Sequence, residues 1–335
     1  MSEPRPSAKR PEWFRHLPQI SVLAAILIGI NFISPGFFQV SIQNGRFFGS
    51  IIDVLYRGAP IIILALGMTM VISTGGIDLS VGAVIAIAGA AAAKMVELGL
   101  PAWQAIPLTL ILGCICGLWN GFLVAGLRIQ PFVATLILMV SGRGIAQMIT
   151  EGRILTFTDP GMDLISKSTL WHMPMPVIIA LGVLVLGLLL WNGTALGLMI
   201  SATGLNKVSA AYAGVKTRLV TSLAYVWCGF CASTAGLIIV SDIRGADANN
   251  AGLWLEMDAI LATVIGGTSL LGGRFWLPMS MIGALIIQAM NTGVLLSGLK
   301  PEFNYIVKAV LVLLVLCVQS PALKQRLKKQ AGGAA

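Results

Sequence analysis

Few side chains in this sequence can do chemistry, and those few sit in apolar surroundings. Asp78 stands in "STGGIDLSVGAV" (73–84), inside a run from Ala59 to Ala93 that is otherwise almost entirely apolar or small. Arg143 and Gln147 are four residues apart, so on a helix they share a face. Asn120, Gln288 and Asn291 are amides within other apolar runs. Amides donate and accept hydrogen bonds and a guanidinium donates them, so the set suits a polyol moving along a pathway. The competing reading is hydrogen bonding between helices, worth about 0.6 kcal/mol each on average. Reaction chemistry finds no support. The two histidines, His16 and His172, fall in loops. No His/Cys/carboxylate cluster suggests a metal, no Ser/His/acid set suggests hydrolysis, and no G-x-x-x-x-G-K-[ST] loop suggests an ATP site. No catalytic residue, metal or cofactor is therefore expected on this chain.

The elements that must position these groups follow from composition. Of 335 residues 57% are hydrophobic and 10% charged, where a soluble domain carries about 25% charged residues. Apolar runs of about 20 residues recur, each long enough to cross a bilayer. The fold class expected is all-α, a polytopic transmembrane bundle of about ten spans: 17–35, 51–73, 79–98, 102–126, 131–150, 175–192, 218–240, 257–272, 277–298 and 303–320. Pro35-Gly36, Gly99-Leu100-Pro101, Pro131 and Pro176 punctuate these runs. "NFISPGFFQV" after the first run lacks a signal-peptidase site, so that run reads as an uncleaved span. The organisation expected is a tail at 1–16, a membrane domain at 17–320 with an inner loop at 194–217, and a basic tail at 321–335.

The net charge of +9 belongs to a membrane protein rather than to a nucleic-acid binder, because the basic residues gather at one set of span ends. With the N-terminus inside, thirteen of the Lys and Arg residues are cytoplasmic and seven are outside. Both termini are therefore expected in the cytoplasm. Cys228 and Cys231 have C-x-x-C spacing, but both lie in an apolar run and read as small residues at helix contacts.

In this frame Gly75-Gly76 ends the second span and Asp78 opens the third. Its carboxylate can accept from the N–H of Ser80 or Val81 and faces the positive end of the helix dipole. Two readings stand: a plain helix cap, or a turn (Gly75, Gly76, Asp78, Ser80) that forms part of an inner gate. "TVIGGTSLLGG" (263–273) is a weak echo of the same pattern. No acid lies deep in a span to couple protons, so the chain is either a passive path or draws power from a partner. The segment "TALGLMISATGLNKVSAAYAGVKTR" (194–218) favours a partner, since its Ala-rich centre, bounded by Gly204 and Gly214, suits a short helix at the inner face. The alternative is a stand-alone secondary transporter or facilitator for a small polar solute. The outer arginines Arg46, Arg57, Arg153 and Arg244 suit carboxylates on a second protein. They equally suit local ion pairing, with Asp242 and Asp247 near Arg244.

"TGGIDLSVGAV" (74–84), "IQPFVATLILM" (129–139), "MDAILATVIGGTSLLGGR" (257–274) and the 194–218 segment together resemble the permease subunits of ABC-type monosaccharide importers, the ribose/xylose/arabinose/galactose group. The resemblance runs from about Gly58 to Gln319. "DIRGADANNAGLWLEMDAI" (242–260) is most similar to the galactofuranose-importing members. Their inner-loop motif, E-A-A-x-x-x-G, aligns with Val208-Ser209-Ala210-Ala211-Tyr212-Ala213-Gly214 after Gly204-Leu205-Asn206. Val208 replaces the acid, so the helix is implied but a salt bridge from its first position is not. The resemblance implies that Gly204, Asn206, Ser209, Ala210, Ala211 and Gly214 couple to a cytosolic ATPase that carries the ATP and Mg. It further implies a second permease chain (a paralogue or a second copy), a periplasmic sugar-binding protein, and a multi-pass location in the bacterial inner membrane.

Overall fold

A computed structural model describes residues 17–43, 45–300 and 302–319. The predicted tails, 1–16 and 321–335, lie outside the described residues. In chain order the helices are α1 (Leu17–Ile33), α2 (Ser50–Ser73), α3 (Val81–Glu97), α4 (Ala102–Gly121), α5 (Pro131–Thr150), α6 (Pro160–Lys167), α7 (Met175–Gly187), α8 (Ala195–Leu205), α9 (Lys207–Tyr212), α10 (Thr217–Ile243), α11 (Leu255–Ile265), α12 (Leu277–Leu296) and α13 (Phe303–Gln319). Single π-helical segments extend α4 over Phe122–Gly126 and α7 over Leu188–Asn192.

Each of the ten apolar runs forms a helix, yet among the described residues only six helices are long and apolar enough to cross a membrane: α2, extended α4, α5, extended α7, α10 and α12. The expectation of about ten spans is therefore not carried by helix length. Helices α1, α3 and α13 have 17 residues each and α11 has 11. Eleven residues rise about 16 Å, roughly half a hydrocarbon core. Hydropathy overran this element because the apolar run continues past Gly266-Gly267, where the backbone turns. Gly267 has φ +93 and the chain leaves the helix there.

The bundle is built around α2 and α10. The most apolar window of α2 is 83% buried, against 28% for α5, so α2 is the central post and α5 a peripheral one. Small residues let the helices close up. On α4, Gly113, Gly117 and Gly121 face α10, and a Cβ at Gly117 would stand 2.2 Å from the Tyr225 carbonyl oxygen. Cys231 lies against Gly67 of α2, and Cys228 and Cys231 are free and buried. Exposed Phe132, Val133, Ile137 and Val140 on α5 leave an apolar face for lipid or another chain.

The connections separate into two ends. One end holds three short antiparallel pairings, Ser41–Gln43 with Arg46–Phe48, Leu155–Thr156 with Gly245–Ala246, and Thr169–Leu170 with Met173–Pro174, together with α6. The other end holds the α2–α3 turn, the 127–130 loop, α8, α9 and the glycine-rich 266–273 loop.

Candidate functional site

The α2–α3 turn is a buried polar knot. Gly75, at φ +81, closes α2 by donating to Ile72 O at 2.8 Å, and Gly76 donates to Val71 O at 3.1 Å. Asp78 Oδ1 accepts from the Ser80 N–H at 2.9 Å and from the Ser80 hydroxyl at 2.6 Å. Asn120 of α4 then donates to Asp78 Oδ1 at 3.3 Å and to Ser80 Oγ at 2.8 Å. Asp78, Ser80 and Asn120 are all buried, and the Cys228 thiol of α10 lies close to the carboxylate. A buried carboxylate is costly unless donors surround it, and here three helices supply or orient them. Asp78 thus does more than cap α3: it ties α3, α4 and α10 together. Two polar atoms in this knot, Asn120 Oδ1 and Tyr225 Oη, have no hydrogen-bond partner among the described residues.

The α8–α9 segment sits directly over this turn. Thr194 starts α8 by accepting from the Leu196 N–H at 3.2 Å. Asn206 starts α9 by accepting from the N–H groups of Val208 at 3.0 Å and Ser209 at 2.9 Å. Gly214, at φ +86, ends it, with Gly214 N–H donating to Ala211 O and Val215 N–H to Ala210 O, each at 3.0 Å. Ala210 faces inward, while Val208 and Tyr212 are exposed, Tyr212 at 90%. Gly204 is a contact point. A Cβ there would lie 1.8 Å from the Ser73 carbonyl oxygen, and Gly273 N–H donates to that same oxygen at 2.9 Å. The two glycine-rich turns that echo each other in sequence thus meet at α8.

The five predicted pathway residues do not form one group. Asn120 belongs to the Asp78 knot. Arg143 donates through Nη1 to the carbonyls of Ala248 at 3.0 Å and Ala251 at 2.6 Å, and Gln147 donates to Asn249 Oδ1 at 2.6 Å. Both therefore clamp the loop before α11, at the opposite end of the bundle. Gln288 donates to Thr292 within α12 at 3.4 Å, and Asn291 Oδ1 is buried without a partner among the described residues. Sequence reasoning missed Tyr225 and Cys228 as members of the knot. Their place on α10 opposite Asp78 has no local signal.

The four outer arginines are engaged within the chain. Arg57 pairs with Asp53 at 2.9 Å, and Arg153 lies 3.3 Å from Glu151 and 3.7 Å from Glu97. Arg46 lies over the Tyr56 ring, 4.9 Å from its centroid. Arg244 pairs through Nε with Asp163 at 3.0 Å, rather than with Asp242 or Asp247. Asp242 instead accepts from the Tyr56 hydroxyl, and Asp247 folds onto Asn249 and Asn250. Arg244, and less strongly Lys167, hold the Asp163 carboxyl below the usual carboxylate range. Among the described residues, no cluster of His, Cys, Asp and Glu could hold a metal ion.

A long apolar bundle with a capped helix pair at one end fits a transport subunit. The family model for the permease component of the branched-chain amino acid transport system matches residues 50–316. The chain belongs to this permease family. The permease is 56% identical to the galactofuranose transporter permease protein of Escherichia coli over 316 residues, covering 93% of this chain and 92% of the relative. It is 38% identical to a fructose import permease protein of Bifidobacterium longum (86% and 85% covered) and 34% identical to the ribose import permease protein of Escherichia coli (92% and 94% covered). No solved structure matches. As a permease component, the chain is a multi-pass membrane protein.

Proposed function

We propose that the permease forms half of the translocation pathway of an ATP-driven monosaccharide importer, with galactofuranose as its cargo. The observation that carries this is the 56% identity, spread over 93% of the chain, to a relative named for galactofuranose transport. The fructose and ribose permeases at lower identity support the broader monosaccharide class. In this reading the α8–α9 end faces the cytosol, both termini lie on that side, and the chain crosses the bacterial inner membrane ten times, with the four shorter helices included. A cytosolic ATPase binding ATP and Mg docks on α9, with Gly204, Asn206, Ser209, Ala210, Ala211 and Gly214 shaping the contact. A second permease chain completes the path, and a periplasmic binding protein delivers the sugar at the end carrying Arg46, Arg57, Arg153 and Arg244.

Within the path, Asn120 and Asn291 have unpartnered carbonyl oxygens that suit a sugar hydroxyl. Gln288 lies one turn from Asn291 on the same helix. Arg143 and Gln147 act by holding the outer loop. The turn of Gly75, Gly76, Asp78 and Ser80 is the inner gate, because it lies directly under the docking segment.

The test is uptake of labelled galactofuranose by cells that lack any galactofuranose permease but carry this chain with its ATPase and binding protein. The expected result is ATP-dependent accumulation of galactofuranose in preference to ribose. Accumulation of ribose alone would move the cargo assignment. Accumulation in vesicles holding only this chain would replace the importer reading with a stand-alone transporter.

A further inference from the structure

At the α8–α9 end a cavity of about 790 Å³ opens beside α9. Its walls are the end of α2 (Thr74, Gly75, Gly76), the loop through Arg128, α9 and the start of α10. Three cations line it: Arg128, Lys207 and Arg218. None of the three makes an ion pair among the described residues. They are close enough to repel one another: partial desolvation, then the charges of Arg128 and Arg218, push the Lys207 ammonium below the usual lysine range. Deeper in the same cavity stand two hydroxyls, Thr221 Oγ1 and Tyr225 Oη, on side chains at least nine-tenths buried and without a hydrogen-bond partner among the described residues.

Unpaired like charges above orphaned donors are an unfavourable arrangement in isolation. It becomes favourable when an anion enters: the cations gain a counter-charge and the hydroxyls gain an acceptor. Both tails are net basic by sequence, so they share the sign of these cations. Residues 1–16 carry four Arg and Lys against two Glu, and 320–335 carry four and no acid. The cavity floor is the end of the central helix rather than the rim of the bundle, and its mouth is bordered by the exposed Val208 and Tyr212 of α9. Exposed apolar and aromatic side chains beside charges are the composition of a protein contact.

We propose that this cavity is a socket for acidic side chains of the cytosolic ATPase, Asp or Glu carboxylates seated between Arg128, Lys207 and Arg218. The inference rests on the importer reading and deepens it: α9 is not only a knob offered to the ATPase but also one wall of a pocket that the ATPase fills. A carboxylate seated there touches both α9 and the end of α2, immediately before the Asp78 knot.

The experiment uses the permease co-purified with its ATPase. Carbodiimide treatment of the unmodified complex joins a lysine amine to a carboxylate only when the two are in contact. The expected product is an amide between Lys207 and an Asp or Glu of the ATPase, located by peptide mass spectrometry. Lys207 left uncoupled while other lysine–carboxylate contacts are captured overturns the proposal. In parallel, Lys207→Glu combined with Arg218→Glu is expected to lower ATPase retention about tenfold, with Lys207→Arg close to wild type. Wild-type retention should fall between about 0.1 M and about 1 M salt, as the screening length drops from ~10 to ~3 Å. Retention that ignores both the charge reversal and the salt overturns the socket but leaves the importer reading standing. Loss of binding to phosphatidylglycerol vesicles with ATPase retention unchanged also overturns it, and makes the cavity a lipid site. Wild-type permease that holds no ATPase at all removes the importer reading first.

Discussion

The two ends of the bundle treat charge in opposite ways. At the end with the short hairpins, Arg57, Lys94, Arg153, Lys167 and Arg244 each lie against a carboxylate of the same chain. At the end with α8 and α9, Arg128, Lys207 and Arg218 line an open cavity with no such partner among the described residues. At the first end most of the cations are answered by carboxylates of the same chain, and these exposed pairs each contribute little because water competes for them. The second end leaves these three cations without a carboxylate among the described residues, which is the arrangement from which the socket is inferred. An arginine near a membrane surface is thus no sign of docking by itself; what matters is whether its charge is already answered within the chain.

The contrast breaks most visibly at the packing point beneath α8. Gly204→Ala forces a methyl against the Ser73 carbonyl, so backbone must shift, at about 1–3 kcal/mol or more. A loss of properly inserted protein and a lower midpoint in detergent unfolding are expected. Gly214→Ala meets open space and costs only the strain of its positive φ, about 1 kcal/mol. Equal effects at the two glycines would mean that α8 is not seated on α2.

Asp78→Ala ranks next, because Ser80 and Asn120 lose a shared buried acceptor. About 2 kcal/mol of destabilisation is expected, and Asp78→Asn should recover part of it through its carbonyl oxygen. Denaturant or thermal unfolding of the purified permease reads both. An unchanged midpoint in Asp78→Ala would show that the knot does not hold α3 to α4 and α10.

The smallest effect belongs to the end with the short hairpins. The Asp163 carboxyl is held low by Arg244 and Lys167. A depressed folded value gives stability that is present above the unfolded value, near pH 3.9, and lost as pH falls through the folded one. Wild type should therefore lose a small increment of thermal stability below about pH 4, and Asp163→Asn should lack that increment. A drop of equal size in both proteins would put the acid sensitivity elsewhere.

Much of the fold was legible in the sequence because helix ends are local events. Pro131 and Pro176 open α5 and α7, Gly75 closes α2, and Gly214 ends α9, although Asn206 rather than the expected Gly204 marks its start. The length of α11 was not legible, since hydropathy does not register that a glycine pair has turned the chain out of line. The site was less legible still. Asn120 meets Asp78 across 42 residues and Arg143 meets Ala248 across 105. Polarity within a span announces that a partner is needed but not which one. For Arg143 the partner is a loop carbonyl, and for Arg244 it is Asp163, across 81 residues. Tyr225 carried no periodic or charge signal, and it becomes visible only because its hydroxyl stands unanswered above the Gly76 turn.

Gly204 is where mechanical force would have to travel. With no side chain between α8 and the Ser73 carbonyl, and with Gly273 bonded to that same oxygen, the joint contains no soft layer. Any displacement of α8 would therefore press backbone directly on backbone at the end of the central post, with the 266–273 loop bonded to the same oxygen.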